Sequence, residues 1–374
     1  MIFHQTVFML ATLLNIFAHL INLGKSIFRR GSIVLCLMNV RGMSGFLQQS
    51  RIERKCGRNC KTNVGIFRRP AYMSFLYKVT LFTATYNRGY ILETLYRSVQ
   101  RQTMRDFEWL IVDDGSSDDT EQLVKQWIKE SNDFPIRYYK QENSGKCRAI
   151  NKGMSLANGK LFFVVDSDDY LTDDALEKIV SWERHLPKGA RYCGVAGNLG
   201  TSEKETTNTM FTGGFYDGSL LDRYSNVDGE RAMAFYTTIH RRYPYPSFDG
   251  EKFMTEAIAY NRMAHDEYKM RFFNDIICIY EYLDDGLTKA GNAIFLKNPK
   301  GYGLWLREKA EFRGVSFKDK FRLWYSFYCE MSFCENQYRL SKKQCAEYIG
   351  APLWSMHASA IIHTLIRLRK RIYK

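Results

Sequence analysis

From Val79 onward the chain alternates short, β-rich apolar runs with stretches of helical period, and this alternation constrains its fold more than any other feature. Val79–Thr85, Glu108–Val112, Ile136–Lys140, Leu161–Asp166 and Tyr192–Ala196 read as strands. Ile91–Gln102, Thr120–Ser131, Lys146–Asn158 and Thr172–Trp182 read as the helices between them. Parallel strands need crossovers of this length, so the pattern predicts a doubly wound α/β domain on a mostly parallel sheet. Asp118, with Glu121 three residues on, predicts a capping box at the second helix.

Ligands of such sheets bind beyond the carboxyl ends of the strands. Three of these ends carry unusual chemistry: Ala84-Thr85-Tyr86-Asn87-Arg88, Asp113-Asp114-Gly115-Ser116 and Asp166-Ser167-Asp168-Asp169. Acids crowded at strand ends repel one another, and a divalent cation resolves the repulsion. Oxygen donors of this kind suit Mg²⁺ or Mn²⁺ held by one or two carboxylates, with sites left open for diphosphate oxygens. Two plainer readings stand beside these. The Asp166–Asp169 run could be the acid-rich start of the following helix, and Asp113–Asp119 an acidic turn between strand and helix. That second run lacks the Gly and the terminal Glu of a calcium loop.

With Asn143-Ser144-Gly145-Lys146 and Ala149-Ile150-Asn151 between the second and third of these ends, the four ordered blocks resemble glycosyltransferase family 2, of the GT-A fold. The resemblance runs from about Met73 to Trp182. It implies a nucleotide-sugar donor, usually a UDP-sugar, a Mn²⁺ or Mg²⁺ ion at a DxD-type motif, and transfer with inversion. On that pattern Ala84 and Tyr86 line the base and ribose pocket, within the block that includes Thr85 and Arg88. Asp114 reads the base, with Asp113 beside it. Asp166 and Ser167 border the donor, Asp168 touches ribose or metal, and Asp169 is the principal metal ligand. Lys146 and Arg148 offer charge to the diphosphate, or else form a solvated helix start.

Inversion by single displacement needs a base opposite the departing nucleotide. In the family a Glu-Asp pair opening a helix commonly supplies it. Here the matching stretch is Asp249-Gly250-Glu251-Lys252-Phe253-Met254-Thr255-Glu256-Ala257, which departs from the pair at Ala257. Glu256 is the first candidate, followed by Glu251 and Asp249. This stretch also resembles bacterial transferases of surface polysaccharides, whose acceptor is a saccharide or a lipid-linked saccharide. Two rivals remain: a nucleotidyltransferase, which would need a Gly-rich phosphate loop where Thr85-Tyr86-Asn87-Arg88-Gly89 stands, and an inactive nucleotide-sugar-binding module.

The formal charge of +14 over 374 residues invites a nucleic-acid partner, but its distribution argues against one. Residues 1–72 hold eleven Lys and Arg and one acid, and the last eight residues hold five basic residues and no acid. This places a boundary near Met73, a transferase domain over 73–296 and a helix-rich extension over 297–374. Within the first segment, Val7–Leu23 is apolar at 13 of 17 positions, a marginal membrane anchor with no secretory pattern. Cys56 and Cys60 lack a second pair at zinc spacing. A start assigned too far upstream is a further reading of this segment. The basic C-terminal run from Ile361 suits an amphipathic helix on an anionic membrane. Nine irregularly spaced Cys fit free thiols in the cytoplasm, at the inner face of the membrane. His240 and His265 read as surface or satisfied side chains, and Tyr243-Pro244-Tyr245-Pro246 as an extended loop beside the acceptor cleft.

Overall fold

The computed structural model describes residues 75–130, 132–206, 208–280 and 291–372. The expectations for the segment up to Tyr72 lie outside the described residues. Met73–Lys374 forms one compact unit.

Its first half is built as the alternation requires. Strands β1 (Tyr77–Thr85), β2 (Phe107–Asp113), β3 (Ile136–Lys140) and β4 (Gly159–Val164) pair in parallel, in the order β3-β2-β1-β4. The crossovers are α1 (Leu92–Gln100), α2 (Thr120–Lys129) and α3 (Lys146–Leu156). Period-2 alternation sorts the strand residues onto two faces. Val79, Leu81, Trp109 and Ile111 join the core beneath α1 and α2, where Tyr96, Trp109 and Trp127 stack. Phe82, Leu110 and Val112 join Ile150 and Met154 of α3 on the other face.

The second half is mixed rather than parallel. A two-residue strand β5 (Tyr170–Leu171) precedes α4 (Ala175–Arg184), so this helix begins three residues later than its sequence pattern suggests. Then come β6 (Tyr192–Gly200), β7 (Phe215–Ser219), β8 (Arg231–Tyr236), α5 (Ala257–His265) and β9 (Lys269–Ile279). Strand β8 runs antiparallel to both β4 and β6, while β6 and β9 are parallel. Helices α6 (Pro299–Glu311), α7 (Phe317–Ser332), α8 (Lys342–Ile349) and α9 (Leu353–Ile372) pack around Tyr302, Phe327, Met331 and Ile349 as a separate core. Among the described residues no helix is long and apolar enough to cross a membrane. The described cysteines Cys147, Cys193, Cys278, Cys329, Cys334 and Cys345 are free thiols.

Two local expectations change. Helix α2 has no capping box: Asp118 accepts from Thr120 N and Gly89 N, while Glu121 pairs with Lys125 and Lys140. His265 is exposed and packs on Phe312, but His240 is fully buried, with Nε2 on the Tyr245 hydroxyl and Nδ1 unpartnered. Burial pushes His240 down to about 3, which keeps the ring neutral.

Candidate active site

Strands β2 and β4 flank β1 on opposite sides, so the strand order reverses at β1, and in open α/β sheets ligands bind beyond the carboxyl ends at such a point. Thr85 is in register with Asp113, and Val165 N donates to Phe82 O, so the three loaded strand ends lie side by side. At the β1 end Ala84 is half-buried and Tyr86 is exposed. Thr85 is buried, and its hydroxyl has no partner. Asn87, at φ 53°, turns the chain out of the strand; its side-chain oxygen accepts from Ser117 N, and its own N–H donates to Ser116 Oγ. Arg88 donates to the Tyr90 hydroxyl.

The β2 end is occupied from within. Asp113 is fully buried and accepts from Ser116 N and the Tyr138 hydroxyl. Asp114 accepts from Gln141 Nε2 at 2.8 Å, Ser144 N at 2.9 Å and Gly145 N at 2.7 Å. Both Asp114 oxygens therefore hold the loop that opens α3. Gly145, at φ 102° and ψ 152°, is the residue before that helix. A Cβ there would lie 1.7 Å from Lys252 O, so glycine is required for the two backbones to cross.

Beyond β4 the chain makes a turn closed by Asp169 N on Asp166 O, with Ser167 buried and three carboxylates close together. Burial, then the charge of Asp166, pushes Asp168 above the usual carboxylate range, with Arg88 and Lys146 opposing. Burial, then Asp166 and Asp168, pushes Asp169 up to about 8. Glu230, just before β8, completes this acidic group. It too is raised, first by the atoms packed around it and then by Asp166. Sequence reasoning missed Glu230, because the β8 run was not recognised as a strand. Among the described residues no three His, Cys, Asp or Glu side chains converge as a metal cage.

Lys146, the first residue of α3, links the two sides of the cleft. Its Nζ lies 2.7 Å from Asp166 Oδ1 and 2.9 Å from Glu256 Oε1. Burial works to lower its pKa, but the two carboxylates outweigh burial, and the ammonium is held well above its ordinary range. Glu256 is the residue before α5, half-buried, and also accepts from the Tyr260 hydroxyl at 2.8 Å. The other two base candidates are placed differently. Glu251 is buried and accepts from Lys300 N at 2.7 Å and Gly301 N at 2.8 Å, satisfying the first turn of α6. Asp249 is exposed. Arg148 donates to the carbonyls of Ser144, Phe248 and Glu251, so it fastens the 248–251 loop to α3.

Residues 80–247 match the model of glycosyl transferase family 2. The chain carries a family 2 glycosyltransferase domain. The three strand-end blocks and the Asn143–Asn151 block all lie inside the matched segment, whereas Asp249, Glu251 and Glu256 follow it. The putative glycosyltransferase EpsH of Bacillus subtilis is 34% identical over 102 residues, which is 27% of this chain and 29% of that protein. A GalNAc(5)-diNAcBac-PP-undecaprenol beta-1,3-glucosyltransferase of Campylobacter jejuni is 33% identical over 105 residues, 28% of this chain and 33% of that one. The chain thus covers a third or less of the length of these relatives. TarS of S. aureus, solved with UDP-GlcNAc, overlays 73% of this chain and 70% of its own at a TM-score of 0.46 and 16% identity.

Proposed function

We propose that this family 2 domain is an inverting, metal-dependent glycosyltransferase. Its donor is a nucleotide sugar, of the UDP-sugar class, and its acceptor is a hydroxyl of a saccharide or lipid-linked saccharide in surface-polysaccharide synthesis. One observation carries the reading: the acidic turn after β4 and the carboxylate before α5 face each other across a single ammonium, Lys146, at 2.7 and 2.9 Å. A nucleotide diphosphate and an acceptor hydroxyl must meet in just such an arrangement, one on each side.

Asp168 and Asp169 would hold a Mg²⁺ or Mn²⁺ ion. Both are hard oxygen donors raised above the usual carboxylate range, first by burial and then by the neighbouring carboxylates, and a bound cation would favour their charged forms. Mg²⁺ in particular needs only one or two carboxylates when a diphosphate supplies the rest. When bound, the ion neutralises charge on the departing diphosphate. Glu256 accepts the proton from the acceptor hydroxyl as the bond to the anomeric carbon forms. Lys146 and the Tyr260 hydroxyl hold the Glu256 carboxylate in one orientation. Tyr86, exposed at the end of β1, offers a ring face to the base.

The test is nucleotide release over a panel of nucleotide sugars with Mn²⁺, for the native chain, Asp169→Asn and Glu256→Gln. Each substitution is expected to lower turnover on the order of 10²–10⁴-fold, as for loss of a general base or of charge stabilisation. Unchanged turnover in both variants would overturn the assignment. Donor binding without turnover across a wide acceptor set would support an inactive module instead.

A further inference from the structure

Among the described residues, helix α9 has an apolar side that stays exposed. Its inward side is settled: Ser355, Met356 and Ser359 are fully buried against the C-terminal core. On another side Trp354, Ile361, Leu365 and Leu368 recur at i, i+7, i+11 and i+14, which sets them in one stripe. They are 49%, 62%, 42% and 49% exposed, among the most exposed large apolar side chains of the described residues. The stripe continues onto α7, where exposed Phe317 stacks on Trp354 with ring centroids 6.4 Å apart. An apolar strip of this length in water calls for an occupant.

The surrounding charge selects that occupant. No Asp or Glu occurs after Glu347, while Arg367, Lys370, Arg371 and Lys374 crowd the end of the chain together with Arg369. Arg367 and Arg371 are exposed. Asp319, two residues after Phe317, is already paired with Arg322 at 3.0 Å. Two copies laid stripe to stripe, in either direction, would set basic ends against a partner with no acid to answer them, the reverse of the flanking ion pairs that stabilise paired helices. A lipid surface with anionic headgroups meets both requirements, taking the apolar stripe into its acyl boundary and the guanidinium groups at its phosphates.

We infer that α9, with Phe317, is a docking surface for an anionic lipid bilayer, along which the helix lies without crossing. This goes beyond the transfer reaction and does not depend on it, since vesicle binding needs no turnover. The experiment is co-sedimentation of the full chain with vesicles of equimolar phosphatidylcholine and phosphatidylglycerol, and with vesicles of phosphatidylcholine alone. Residues 1–72 are themselves basic, so the decisive quantity is the difference between variants. Ile361→Glu with Leu365→Glu is expected to weaken binding to the mixed vesicles at least about tenfold. Arg367→Gln with Arg371→Gln changes exposed side chains only, and is expected to remove most of the preference for phosphatidylglycerol and its sensitivity to salt. Binding unchanged in both variants, or equal on the two kinds of vesicle, would overturn the inference. So would a native dimer in light scattering that the Ile361→Glu, Leu365→Glu chain no longer forms, since the stripe would then be a protein interface.

Discussion

Gly145→Ala tests whether the donor half and the acceptor loop are held together by one backbone crossing. At φ 102° and ψ 152° the residue occupies a region that is essentially restricted to glycine, and an alanine there costs about 1–3 kcal/mol. Its Cβ would also stand 1.7 Å from Lys252 O and 2.6 Å from Lys252 C, both backbone atoms that cannot swing aside as a side-chain tip can. Overpacking of that kind adds about 1–3 kcal/mol. The total of roughly 2–6 kcal/mol is a large part of the stability of an ordinary domain, and corresponds to a fall in Tm on the order of 5–20 °C. Gly250→Ala is the matched control. It lies at φ 80° in the stretch that holds Lys252, on the other side of the crossing, with nothing within 4 Å of its would-be Cβ, so it carries only the backbone strain. Chemical denaturation of the three proteins reads the difference, and nucleotide release reads the consequence, because a displaced Lys252 carries Glu256 away from Lys146. Equal stability of the two alanine variants would refute the crossing.

Three further outcomes follow from buried or bridging groups. Glu108→Ala removes a fully buried carboxylate that accepts from Thr80, Arg137 and Asn158, and is expected to cost about 3–5 kcal/mol in denaturant titrations, since it takes from Arg137 its only carboxylate partner among the described residues and leaves the Asn158 N–H unpaired. His240 stays neutral in the folded protein down to about 3, whereas the unfolded chain takes up a proton near 6.5. Its contribution to stability is therefore complete above pH 6.5 and is lost as the pH falls, by about 2 kcal/mol at pH 5; His240→Phe should flatten that part of the stability profile, and an unchanged slope would disprove the assignment. Lys146→Met should lower kcat at least about tenfold with little change in the donor KM if the ammonium orients Glu256. A raised donor KM at constant kcat would instead assign Lys146 to the diphosphate.

The parallel half of the sheet was legible because its central strands are buried, mostly apolar runs with readable turns between them, as in β2, buried at every position; β3, only half-buried, is also found over the residues the pattern marks. In the mixed half only β6 was legible, and only over Tyr192–Ala196, the first part of Tyr192–Gly200. In β9 the run is interrupted by Asn274-Asp275, and its pairing with β6 shifts register near Ala196 and Asn198, where the strand read from the sequence stops. Glu230 was hidden by the same gap, although an acid directly before the β-rich run Arg231–Tyr236 was the signal that could have found it.

For the site, the spacing of residues reveals which strand end a side chain occupies, but not which of its lone pairs are already taken. Asp114 and Arg148 have the chemistry expected of groups that hold a nucleotide and a diphosphate. In the fold, Asp114 spends its oxygens on the N–H groups of Ser144 and Gly145, and Arg148 its donors on three carbonyls. Except for the bond from Arg148 to Ser144 O, these bonds are long-range in sequence, linking positions about 30 and 100 residues apart, so no local pattern could announce them. Their effect is nonetheless functional. Asp114 fixes the start of α3, Gly145 lets Lys252 pass against it, Arg148 ties down the 248–251 loop, and Lys146 is thereby presented between Asp166 and Glu256. The block from Ser144 to Arg148 thus acts as the joint between the two halves of the proposed cleft, with the Lys146 ammonium bridging Asp166 and Glu256.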